Sequence, residues 1–268
     1  MIIVGERLNS SRKGVFEALQ EKDEYFLLDQ ALKQEQAGAH YIDINSAALV
    51  DREIEILRWA IPLLQDQLKV PLSIDTPNPE AMEQALRIYK KGRPLLNSLT
   101  GETKNIQNLS PLIREFKPKV IVLCLDDHGF PETPDDAVSV ALRMADLLQN
   151  EGLMTDDFFI DPLVRPAGVN WEAVPLFLKS IAAIKKTRPP LKTIAGISNV
   201  GFGLPHRRLL NRTLLALALA QGLDAAIMDP LDMDLQSELF AAEALLGKDP
   251  SLKNYLKFIH GQSPSRSS

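Results

Sequence analysis

Short apolar runs alternate with longer amphipathic ones from one end of the chain to the other. The short runs are rich in Ile, Leu, Val and Phe and are bounded by Pro, Gly or Asn. Such runs are expected of strands buried on both faces. They predict strands at Ile2 to Val4, Tyr41 to Asn45, Leu72 to Asp75, Pro94 to Ser98, Val120 to Leu125, Phe158 to Asp161, Thr193 to Ser198 and Ala225 to Met228. The segments between them have helical spacing. From Asp51 to Leu68, the residues Ile54, Leu57, Ile61, Leu64 and Leu68 recur at three- and four-residue steps, and Pro71 follows. Further helix starts are expected at Asn78-Pro79, Thr133-Pro134 and Asn170.

Strand and helix repeated eight times predict an α/β fold, a TIM (β/α)8 barrel, for which about 250 residues are typical. A doubly wound open sheet shares this local pattern. However, no GxGxxG or GxxxxGK[ST] follows an early strand, and eight units in 268 residues suit closure better. One barrel domain is expected over residues 1–262. The Ser-rich end GQSPSRSS has no core-forming pattern, so residues 263–268 are expected to be a disordered tail.

The polar residues that end the strands carry the functional reading. Asp43 and Asn45 end the second strand, Asp75 the third, Asn97 the fourth, Asp126 and Asp127 the fifth, Asp161 the sixth, Asn199 the seventh and Asp229 the eighth. In a parallel barrel these positions form the mouth of the binding cleft. A βα loop also ends on a helix cap, so some of them are polar for structural reasons, and Asp43, Asp126 and Asp229 are read in that way. Carboxylates gathered at one mouth repel each other unless donors satisfy them. A ligand with paired N–H donors relieves that repulsion, and an amide can donate to or accept from a neighbouring ring edge. The expected ligand is a polar heterocycle.

Composition narrows the classes. Apolar residues make up 45% and charged residues 24%, as in ordinary globular proteins. A net charge of -5 and a pI near 5.5 provide no general attraction to nucleic acid or anionic membranes. MIIVGERLNS has neither a basic n-region nor a long apolar h-region, and no apolar stretch reaches the ~20 residues needed to span a bilayer. A cytoplasmic location is expected. Cys124 stands alone within KVIVLCLDD and is read as a core thiol. The histidines His40, His128, His206 and His260 have no HxH or HExxH spacing, so no metal site is assigned, and no GxSxG elbow occurs. GERLNSSRKG is read as a loop after the first strand, with Asn9 facing the mouth. In GISNVGFGLPHRR the glycines allow close backbone approach, and Arg207 and Arg208 open the next helix, where they oppose its dipole. Both arginines are candidates for an acidic ligand tail or an acidic partner surface.

VGERLNSSRK, GAHYIDIN, PLSIDT, PLLNSLTGE, FFIDPL, GISNV, the helix LLNRTLLALALAQGLDAAI and MDPLD together resemble the pterin-binding methyltransferases. Within that family the resemblance is to the methyltetrahydrofolate:corrinoid protein methyltransferases, whose barrel is shared by dihydropteroate synthase and the folate domain of cobalamin-dependent methionine synthase. It implies that Asp75, Asn97 and Asp161, with Gly196 and Ser198, hold the pterin ring, and that Asn199 is the catalytic residue near N5. It also implies tetrahydrofolate or methyltetrahydrofolate as substrate, a cobalamin (corrinoid) carried by a separate protein, and a homodimer. The alternatives from sequence are a dihydropteroate synthase-like enzyme and a non-catalytic pterin-binding protein.

Overall fold

The computed structural model describes residues 1–262; the expected tail, 263–268, lies outside the described residues. The expected barrel is present. Its strands are β1 (Ile2–Asn9), β2 (Tyr41–Asn45), β3 (Leu72–Asp75), β4 (Leu95–Gly101), β5 (Lys119–Asp126), β6 (Phe158–Asp161), β7 (Lys192–Gly196) and β8 (Ala225–Met228). All pair in parallel in chain order, and β1 closes on β8.

One apolar layer fills the barrel interior: Val4, Tyr41, Leu95, Ile121, Phe159, Ile194 and Ala225. Fully burying side chains of this kind contributes about 1.5–3 kcal/mol each. The plug is therefore a firm floor. Side chains alternate across a strand, so the residue two positions on faces the same way. The step from that layer leads to Glu6, Asp43, Asn97, Leu123, Asp161, Gly196 and Ile227, and on β3 from Ser73 to Asp75. All eight line one cavity at the carboxyl end. The pairs Asn45 with Asp75 and Asp75 with Asn97 place these polar ends at one level.

Several boundaries differ from expectation. GERLNS is not a loop but the second half of β1, whose pairing with β2 shifts register between Gly5 and Leu8. A bulge re-aims side chains, and here the adjacent residues Glu6 and Arg7 both line the cavity. β7 stops at Gly196, and Ile197–Asn199 form a 3-10 turn instead of strand. The helix expected from Asp51 runs Glu53–Gln67 and contains Pro62, so its start is displaced by the 3-10 segment Ala47–Arg52. Asn78 caps as expected, accepting from the N–H groups of Glu80 and Ala81. Thr133 forms a capping box with Asp136. Asn170 does not cap its helix: it takes the Glu172 N–H in a local turn, and the helix begins at Ala173. Cys124 is buried in the core.

Candidate active site

A cavity of about 910 Å³ opens at the carboxyl ends of the strands. It brings together every residue expected to touch a ligand: Asp75, Asn97, Asp161, Gly196, Ser198, Asn199, Asn9, Arg207 and Arg208. Its floor is acidic and its rim carries arginines.

On the floor, Asp43 of β2 lines the cavity as Asp75 of β3 does. Asp43 was expected to be structural; it instead points inward, two residues above Tyr41, and lines the cavity. Its Oδ1 accepts from the Ser73 hydroxyl at 2.6 Å and from Asn97 Nδ2 at 3.2 Å. Asn97 spends one N–H of its amide on Asp43, and its Oδ1 has no partner among the described side-chain bonds. Asn45 Nδ2 donates to Asp75 Oδ2 at 2.9 Å, while its own oxygen accepts from the Ser10 hydroxyl and the Ala47 N–H. One oxygen of Asp75 is thus anchored. Asp161 Oδ1 accepts from the Leu163 N–H at 2.8 Å, and no arginine pairs with this carboxyl among the described contacts.

Asp229 is expected to be structural, and its Oδ1 does accept from the Leu231 N–H at 3.0 Å; it also lies at the rim of the cavity. It accepts from Arg7 Nη1 at 2.8 Å, with Arg12 3.7 Å away. Asp126 and Asp127 keep their structural reading. Asp126 bonds Arg143 at 2.8 Å, and Asp127 accepts from the Thr103 N–H. Asn9 has its oxygen on the Ser11 N–H, and Arg208 makes only a distant pair with Asp232 at 3.9 Å.

Three side chains escape the sequence reading. Glu6 accepts from the Ser198 hydroxyl at 2.9 Å. Arg7 holds Asp229. Asn211 lines the cavity with its Oδ1 buried and without a hydrogen-bond partner. Counting two residues on from Val4 would have found Glu6; nothing comparable marks Asn211.

Burial raises the carboxyls of this floor together. It takes Glu6 and Asp161 each to about 7 and Asp75 to about 6. Asp43 is pushed well above the carboxylate range by burial, and further by Asp75. A raised carboxyl stabilises the ligand-free fold below its unfolded-state value, and that contribution is lost as pH climbs through the folded-state value. The melting temperature of ligand-free protein is therefore expected to fall between about pH 4 and about pH 7. In Asp161→Asn the fall should be shallower; an equal slope in both proteins, read by calorimetry, would remove Asp161 from this account.

The seventh loop arranges the amide. Gly196 lies directly beneath Asn199: a Cβ there would come within 2.9 Å of Asn199 Nδ2. Arg207 Nη2 donates to the Ser198 carbonyl at 3.0 Å. The family model for pterin binding enzymes matches residues 5–229, a span that carries most of the cavity lining. The chain belongs to the pterin-binding enzyme family. Among relatives of this pterin-binding enzyme, a methylcorrinoid:tetrahydrofolate methyltransferase of Eubacterium limosum is 34% identical over 259 residues, covering 96% of this chain and 95% of that one. Methionine synthase of Mycobacterium tuberculosis is 26% identical over 85% of this chain, but the match takes up 20% of that longer protein. Dihydropteroate synthase from Xanthomonas albilineans, solved with 4-aminobenzoic acid, has a TM-score of 0.68 at 17% identity, covering 93% of each chain. At that identity it shows that the fold is shared.

Proposed function

We propose that this enzyme moves a methyl group between N5 of tetrahydrofolate and the cobalt of a corrinoid carried by a separate protein. The observation that carries this reading is the division of labour in the cavity: inward Asp75, Asn97 and Asp161 make a surface for a donor-rich ring, and the Asn199 amide stands apart above Gly196. The Eubacterium limosum relative supports it, since its name specifies a methylcorrinoid and tetrahydrofolate.

In this reading Asp161 and Asp75 accept N–H groups of the pterin, and Asn97 presents its carbonyl oxygen. Gly196 and Ser198 bring backbone close to the ring. When methyl leaves N5, the N5–CH3 bond breaks and N5 takes up a proton; in the reverse direction N5 loses one. Asn199 can donate to neutral N5 or accept from protonated N5, so one side chain serves both states. The corrinoid supplies the cobalt that takes or gives the methyl. Asn9, Arg207 and Arg208 at the rim are placed for the carboxylate tail of the folate or for the partner protein, and a cytoplasmic homodimer belongs to the same proposal.

Purified protein mixed with methyltetrahydrofolate and reduced cobalamin is expected to form methylcobalamin, followed by its visible spectrum. Tight folate binding without turnover would make it a pterin-binding protein lacking this activity. Condensation of a pterin pyrophosphate with 4-aminobenzoate would replace the reading with dihydropteroate synthesis.

A further inference from the structure

Asn199 lies in a three-residue 3-10 turn, Ile197–Asn199, beyond the end of β7. So short a turn has little hydrogen bonding of its own. Its geometry must come from contacts around it: Ile197 is buried, the Asn199 carbonyl accepts from the Phe202 N–H at 3.2 Å, and two side chains reach Ser198. The Ser198 carbonyl takes Arg207 Nη2 at 3.0 Å from one side. From the other, its hydroxyl donates at 2.9 Å to Glu6, which reaches across from β1. Glu6 does so because strand alternation aims it into the cavity, two residues above Val4 in the plug. The nearby arginines do not claim it: Arg7 bonds Asp229, and Arg12 also faces Asp229.

We infer that Glu6 is a positioning residue for Asn199, acting through the Ser198 hydroxyl to fix the turn that presents the amide. The inference rests on the proposed role of Asn199 at N5. It also gives the Ser198 side chain a job distinct from holding the ring. The charged groups that face Glu6 are Asp229 beyond β8, Arg12 after β1, Arg207 on the helix Arg207–Ala220 and Asp43 on β2. Burial, with a smaller push from Asp229, outweighs the Ser198 hydrogen bond and the two arginines and places the carboxyl at about 7. An ionised acceptor binds a hydroxyl more strongly than a neutral one. The hold on the turn therefore tightens as pH rises through neutrality.

The test compares the whole protein with Glu6→Gln, Ser198→Ala and the double variant. Glu6→Gln keeps the shape and an acceptor oxygen but cannot ionise. At about pH 8, losing one charge-assisted hydrogen bond to the turn is expected to slow single-turnover methyl transfer by about three- to tenfold in each single variant. The double variant should be no slower than Ser198→Ala, and the methyltetrahydrofolate dissociation constant should stay near wild type in Glu6→Gln. A second readout needs no turnover: the side-chain amide resonance of Asn199, assigned by its disappearance in Asn199→Asp. In wild type it is expected to shift with a midpoint near neutrality, and in both single variants it should not. Multiplying losses in the double variant, or an Asn199 resonance indifferent to pH in wild type, would overturn the inference. If the resonance titrates as expected while wild type transfers no methyl, the proposed reaction fails and the positioning of the turn stands.

Discussion

Asp161→Asn is expected to weaken methyltetrahydrofolate binding by about ten- to a hundredfold, the equivalent of one or more hydrogen bonds to a charged group at roughly 1.5–3 kcal/mol each. The carboxyl is buried in the interior layer above Phe159, and its one described bond comes from the Leu163 N–H to Oδ1. Its other oxygen is left for the ligand. A pterin N–H meets an anionic acceptor in that free carboxylate oxygen. In the asparagine it meets an NH2 there, so donor faces donor where an attractive pair had been. Because burial holds Asp161 at about 7 without ligand, binding to the ionised form must first remove a proton at lower pH. Wild-type affinity should rise as pH passes through about 7, and Asp161→Asn should lose that slope. Asp75→Asn should cost less, since Asn45 already occupies one of its oxygens. Unchanged dissociation constants in both variants, measured by titration calorimetry, would remove these two carboxylates from ring recognition.

The strands are legible from the chain because each is apolar on both faces and stops at a polar residue; β2, β3, β6 and β8 have the bounds that pattern predicts. The site residues at their ends are legible for the same reason. What hid Glu6 was the bulge in β1: polar residues continue the strand where an apolar run would normally be needed to mark it. Asp43 was visible but assigned to structure, because reading from the end of a strand favours its last residue, whereas cavity lining follows alternation from the plug. Tyr41 to Asp43 and Phe159 to Asp161 are the same two-residue step. Asp229 keeps its loop bond to the Leu231 N–H, but its place at the rim is not legible from the chain. Its partner Arg7 is 222 positions away, brought close only by closure of β1 on β8. The end of β7 was overextended because Ile197 is apolar and buried even though it lies in a 3-10 turn. Asn170 has the residue type of a cap, but its local turn satisfies it two residues before the helix forms.

Asn199→Ala is expected to slow methyl transfer by about ten- to a hundredfold while leaving pterin affinity close to wild type, since a hydrogen bond to a charged group contributes roughly 1.5–3 kcal/mol. Floor and turn are separate structures, and that separation underlies the expectation. Asp75, Asn97 and Asp161 are held by bonds within the barrel, from Asn45, to Asp43 and from Leu163. None of these involves the turn. The turn is held by Glu6, by Arg207, by the Phe202 N–H on the Asn199 carbonyl and by the absence of a side chain at Gly196. Removing the amide therefore leaves the ring surface intact and takes away only the group that can bond N5 in both protonation states. An interaction that strengthens as charge develops lowers kcat and kcat/KM together, whereas one that is equal throughout raises KM alone. Single-turnover rates at saturating methyltetrahydrofolate, with the dissociation constant measured separately, distinguish the two. A variant with normal kcat and weakened binding would make Asn199 a ring ligand like Asp161, and near-normal values of both would leave the turn without a part in methyl transfer.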